Sequence, residues 1–94
     1  MFSWDVAKAL KNYEKHGVSF EEAGTVFEDP RGLDWQDVEH SGSELRSKRV
    51  GASSEGRILI VVYTQRRLSN GEETTRIISA RPANRQERQA YTGQ

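Results

Sequence analysis

The sequence predicts an α+β domain in which an antiparallel β-sheet packs against two N-terminal helices and carries a C-terminal helix. Three observations predict it. Helical caps and helical apolar spacing are confined to the first 28 residues and to the stretch after Pro82. Long runs rich in β-branched residues, "RILIVVYTQ" and "TTRIISA", fill the second half. Between those runs lies Asn70-Gly71, a strong hairpin signal. Helices and strands in separate blocks favour α+β over an alternating parallel fold.

The elements follow in order. "MFSW" is apolar enough for a short first strand. Asp5 can cap a helix over Val6–His16, with Ala9, Leu10 and Tyr13 at helical spacing and Gly17 as its stop. Ser19 and Glu22 have capping-box spacing and open a second helix running to about Glu28, ahead of Pro30. Residues 31–45 are polar, with a possible strand at Leu33–Gln36. "ELRSKRVGAS" reads as a strand and Ser54-Glu55-Gly56 as the turn after it. "RILIVVYTQ" is continuous in apolar residues, as a central strand covered on both faces would be. Asn84 and Glu87 repeat the capping-box spacing and start the last helix. The order is ααβββα with optional short strands.

With Asn70 and Gly71 as the two turn residues, opposed positions sum to 141. Tyr63 then faces Ile78, Gln65 faces Arg76, and Ile60 faces Arg81. That register puts Arg76 on the face of Tyr63 and on the opposite face from Arg81. A longer loop from Arg66 to Glu72 is the alternative.

Length and composition bound the rest. The 94 residues make one domain, 1–94, that buries roughly two-thirds of its unfolded surface. No run approaches a membrane span and no signal-peptide pattern opens the chain. The absence of cysteine fits a reducing, cytoplasmic setting. Neither His16 nor His40 has a second His or Cys at ligand spacing, so no metal site and no cofactor are expected. His16, before Gly17, suits a cation at a helix C-terminus.

The formal net charge of zero hides a division. Residues 1–45 carry four bases and ten acids, 4 − 10 = −6; residues 46–94 carry ten bases and four acids, 10 − 4 = +6. In the basic half only Lys48 is not arginine. Such polarity points to a polyanion partner, and arginine's planar fork can give two hydrogen bonds to one phosphate. Mutual neutralisation of the halves is the bland alternative.

The segments "FSWD", "KHGVSFEEA", "VFEDP", "HSGSELR", "GRILIVVYT", "RIISARPA" and "ERQAY", in this order across Phe2 to Tyr91, resemble the BrnT family of type II toxins. The resemblance implies a RelE-like fold, ribonuclease activity that inhibits growth, and neutralisation by a ribbon-helix-helix antitoxin of the BrnA type, through which alone DNA would be contacted. Two departures stand out: Val6 where the family commonly has proline, and a "QRRLSNGEETT" segment longer than usual.

A RelE-like nuclease implies cleavage without metal, the substrate 2′-OH attacking the adjacent phosphate. The protein must take a proton, return one to the 5′-oxygen and stabilise charge on phosphorus. In segments matching the family, the candidates for this chemistry are Arg46, Arg76, Arg81, Glu87 and Tyr91, with His40 and Glu44 in "HSGSELR". Lys48, Arg85 and Arg88 are candidates for holding the RNA backbone. Plainer roles are open for each: Tyr91 can seat the last helix, Glu87 can cap it, and Arg81 can pair with an acid. Because Pro82 ends the strand, Arg81 is preferred over Arg76 for direct phosphate contact. An antitoxin covering the basic surface would compete with RNA.

Overall fold

The computed structural model describes residues 1–93. Its elements are β1 (Phe2–Ser3), α1 (Val6–His16), α2 (Phe20–Thr25) continuing into a 3₁₀ turn (Val26–Glu28), β2 (Leu33–Gln36), β3 (Ser47–Ala52), β4 (Ile58–Arg67), β5 (Glu73–Pro82) and α3 (Arg85–Thr92). The fold is α+β, with both optional short strands present. No described helix is long and apolar enough to cross a membrane.

The capping signals act as their chemistry dictates, with one exception. Asp5 accepts a hydrogen bond from the Lys8 N–H at 3.1 Å, and Gly17 ends α1 at φ 68°, where a side chain would be strained. Asn84 and Glu87 exchange both capping-box bonds at 2.8 Å. At α2, Ser19 accepts from the Glu22 N–H at 3.0 Å, but the box stays half made. The Glu22 carboxylate instead takes Arg57 at 2.5 and 3.0 Å and the Ser53 hydroxyl at 2.7 Å. A long-range guanidinium outcompetes the local backbone N–H for that carboxylate, because charge-assisted forks are the stronger bonds.

The strands lie in the order β1-β5-β4-β3-β2. The sheet is antiparallel except for β1, which runs parallel to β5 with Ser3 opposite Arg76. Farther along β5 the edge has no strand, and Asn12 of α1 closes it. Its amide accepts from the Ala80 N–H at 3.1 Å and donates to the Ala80 carbonyl at 2.8 Å. A buried asparagine thereby satisfies backbone groups that would otherwise be orphaned.

The β4–β5 register departs from the expected one halfway along. From Leu59–Pro82 to Val62–Ser79 the opposed positions sum to 141; from Tyr63–Ile77 to Arg67–Glu73 they sum to 140. Ile78 is the unpaired residue of a β-bulge. The connection is accordingly neither two nor seven residues long but Leu68–Glu72, with Gly71 at φ 87° and the Glu72 N–H bonded to the Asn70 side chain. Arg76 therefore faces Thr64 rather than Gln65, and lies on the opposite face from Tyr63. One extra residue reverses the alternation between Arg81 and Arg76, so the two arginines share a face.

Each face has its own core. Leu59, Val61, Ile77 and Ala80 pack against Val18, Phe20, Ala23 and Val26 beneath α1 and α2, with Trp4 set edge-on to Phe20. On the other side Val50 and Ile60 meet Ala83 and Tyr91 of the C-terminal segment. Asp29 ties the layers together. Its carboxylate accepts from the Ala52 N–H at 2.8 Å, on the part of β3 that extends past β2, and from the Tyr91 hydroxyl at 2.6 Å.

Candidate nucleic-acid interface

Strand pairing fixes which side chains stand on the α3 face of the sheet. One row across the strands is Leu33, Val50, Ile60 and Arg81; the next is Trp35, Lys48, Val62 and Ser79. In the third, Arg46 continues β3 beside Asp37, whose N–H donates to the Arg46 carbonyl at 2.8 Å, and Thr64 stands opposite Arg76. The first row is covered by Ala83 and Tyr91. The second and third lie beyond that cover. This half-open surface carries Arg46, Lys48 and Arg76, with Arg81 at its margin and about 13 Å of β5 between Arg81 and the Arg76 row.

The charges on this surface are not equally engaged. The guanidinium groups of Arg46 and Arg76 form no hydrogen bond or ion pair among the described residues. Arg76 does act weakly on Asp5, whose carboxyl is lowered mainly by the Lys8 N–H. Lys48 approaches the Asp37 carboxylate at 3.8 Å. Arg81 gives a two-pronged bond to Glu87, 2.8 Å on each oxygen, and its guanidinium is half-buried. That fork, then burial opposing it, sets the Glu87 carboxyl, with the net direction below its ordinary range. Glu87 is thus an ionised acceptor that both caps α3 and holds Arg81.

Asp37 organises the corner beside Arg46. It is buried, and both its oxygens lie 3.1 Å from Nδ1 of His40. Desolvation works against its charge, but His40 and Lys48 outweigh it and the carboxyl is lowered. Ser41 closes the loop: its hydroxyl donates to the Asp37 carbonyl at 2.7 Å and accepts from the Arg46 N–H at 2.9 Å. The Asp37 carboxylate at Nδ1 orients the imidazole, whose side chain is otherwise exposed.

The remaining candidates are placed elsewhere. Glu44 forms an exposed ion pair with Arg66 at 3.0 Å. Tyr91 is buried and donates its hydroxyl to Asp29, which raises the phenol's pKa. Arg88 donates to the Ala83 carbonyl at 2.7 Å, and Arg85 is exposed at the start of α3. The structure therefore places Arg46, Lys48 and Arg76 on one face with His40 beside Asp37 at its β2 end, adds Arg81 with Glu87 at the margin, and leaves Glu44 and Tyr91 in other contacts.

Sequence reasoning missed Asp37 and Trp35. Asp37 stands three residues before His40, a spacing that a capping or turn pairing would have suggested. Trp35 sat in the foreseen β2, but its position opposite Lys48 needed the register. Among the described residues there is no group of three or more His, Asp or Glu side chains placed to hold a metal ion.

The fold has a counterpart among solved structures. The crystal structure of the Brucella abortus ribonuclease toxin BrnT is similar with a TM-score of 0.62, covering 90% of this chain and 99% of that one at 20% identity. No curated protein matches the chain in sequence. A family model described as "Ribonuclease toxin, BrnT, of type II toxin-antitoxin system" matches residues 4–87. The chain belongs to the BrnT family of ribonuclease toxins of type II toxin–antitoxin systems.

Proposed function

We propose that the chain is a metal-independent endoribonuclease of RelE-like type, acting in the cytoplasm on messenger RNA, and that its active surface is the open half of the α3 face. The observation that carries this reading is the placement of Arg46, Lys48 and Arg76 on one uncovered face beside the Asp37–His40 pair. The fold supports the chemistry because the face offers each group that transesterification needs. His40 Nε2, with Nδ1 steadied by Asp37, takes the proton from the 2′-OH. The O2′–P bond forms and the P–O5′ bond breaks, while Arg46 and Arg76 stabilise charge on the phosphoryl oxygens. The Lys48 ammonium returns a proton to the departing 5′-oxygen. Arg81, held by Glu87, borders the path at the α3 end, and Arg85 and Arg88 extend positive charge along the helix.

The antitoxin in this reading is a BrnA-type ribbon-helix-helix protein that covers the same face, so that antitoxin and RNA compete. Purified chain should cleave RNA in excess chelator and leave 2′,3′-cyclic or 3′-phosphate ends. Loss of cleavage in chelator, restored by Mg²⁺, overturns the mechanism. His40→Ala should lower kcat by about 10²-fold or more, the ordinary worth of an acid–base group.

One observation favours a second reading, a binding module that retains antitoxin contact without cleavage. The Arg81 guanidinium and the Tyr91 hydroxyl are both engaged internally. Expression without the antitoxin separates the two, since only the nuclease arrests growth.

A further inference from the structure

Trp35 is the apolar outlier of the basic face. Its indole is 41% exposed, on the strand at the end of the sheet. It belongs to neither core cluster and makes no ring contact or hydrogen bond among the described residues. The other tryptophan behaves differently: Trp4 is half-buried and packs at 5.9 Å on Phe20. Trp35 thus leaves more of its ring open than Trp4, which packs into the core beneath α1 and α2.

Its neighbours give that open ring a role. Trp35 is directly opposite Lys48, and Arg46, just before β3, stands one row along where Asp37 bonds its carbonyl. Cations that attract a phosphate backbone therefore flank an indole face, the combination that single-stranded nucleic acid exploits by stacking a base on the ring. We propose that Trp35 is a nucleobase-stacking subsite at the β2 margin of the RNA surface, holding a base of single-stranded RNA whose adjacent phosphates lie on Arg46 and Lys48. The subsite rests on the ribonuclease reading and adds a determinant to it. Because every base has a π face, the contact contributes affinity and register rather than a strict sequence requirement. The base must be unpaired to reach the ring, so the substrate is single-stranded RNA around the cleaved bond.

The test uses a non-cleavable single-stranded oligonucleotide with 2′-O-methyl riboses, followed by anisotropy and by tryptophan fluorescence. Parent protein should bind with quenched emission, both signals giving one Kd. Trp35→Phe should bind with most of the affinity and without that quenching, which assigns the signal to Trp35 rather than Trp4. Trp35→Ala should weaken binding roughly 5- to 100-fold, the range for loss of one stacked base, in protein whose circular dichroism shows it folded. Binding with Trp35 emission unchanged and parental affinity in Trp35→Ala overturns the subsite while leaving the ribonuclease reading intact. Parent protein that binds no oligonucleotide overturns both.

Discussion

The two faces of the sheet use the same residue types to opposite ends. On the face covered by α1 and α2, the arginines that flank the core are held by the fold. Arg49 donates to the Val26 carbonyl at 3.1 Å, to the Asp29 carbonyl at 2.6 Å and to the Asp34 carboxylate. Tyr63 also donates to Asp34, and burial first, then that carboxylate, pushes its pKa up to about 12. Arg57 binds Glu22 and the Gly17 carbonyl. On the α3 face, Arg46 and Arg76 are offered outward. Arg49 and Arg57 are held by the fold, whereas the guanidinium groups of Arg46 and Arg76 make no hydrogen bond or ion pair among the described residues.

That contrast can be broken by substitution. The largest effect should come from Arg49→Ala, which removes the donor to the Val26 and Asp29 carbonyls and one of the two donors to Asp34. We expect a loss of about 2 kcal/mol in denaturant unfolding, the scale for hydrogen bonds from a charged donor to carbonyls in a partly buried setting. Gly32→Ala should act on the same arginine, because a Cβ there would fall on its guanidinium. Next comes Tyr91→Phe, at about 1.5 kcal/mol, for a bond to a charged acceptor. Its cleavage rate should stay parental if Tyr91 only seats α3; a fall in kcat without a fall in stability would return it to the chemistry.

Acid should weaken the structural charges before the open ones. The folded-state carboxyls of Glu22, Asp29 and Glu87 are all lowered, by Arg57, by the Ala52 N–H and by Arg81 respectively as the largest cause. Groups depressed in this way contribute stability that is complete above their unfolded values, about 4, and lost as pH falls through the folded ones. Unfolding free energy should therefore be flat near neutrality and decline below about pH 4.5, less steeply in Glu87→Gln. A decline already present between pH 7 and 6 would contradict it.

The smallest stability change belongs to Arg46→Ala and Arg76→Ala, each expected within about 0.5 kcal/mol of parent. Each should also flatten the salt dependence of single-stranded RNA binding by about 0.7 in log–log slope. Arg81→Ala should cost more stability than either, since it leaves Glu87 without its fork.

Why the sequence revealed some of this and not the rest follows from range. The caps at Asp5, Ser19 and Asn84 are local chemistry and stand where their spacing put them. The bulge at Ile78 is not local: "RIISA" alternates equally well in either register, and only pairing with Val62 and Tyr63 decides. That one residue moved Arg76 onto the face of Arg81. Arg46 and Arg49 cannot be told apart by composition, because the carbonyls that capture Arg49, of Val26 and Asp29, lie 23 and 20 residues away. His40 was visible as a candidate base, whereas the partner that steadies it depends on the loop closed by Ser41.

The central claim is that Arg46 and Arg76 are free for RNA because the fold does not need them. The most direct measurement compares cleavage and melting temperature in the double variant Arg46→Ala/Arg76→Ala. The account predicts a melting temperature within about 2 °C of parent, as expected where neither guanidinium makes a hydrogen bond or ion pair within the fold, and a kcat/KM at least about 10²-fold lower, the scale for removing charge-stabilising donors. Parental cleavage by the folded double variant would contradict it.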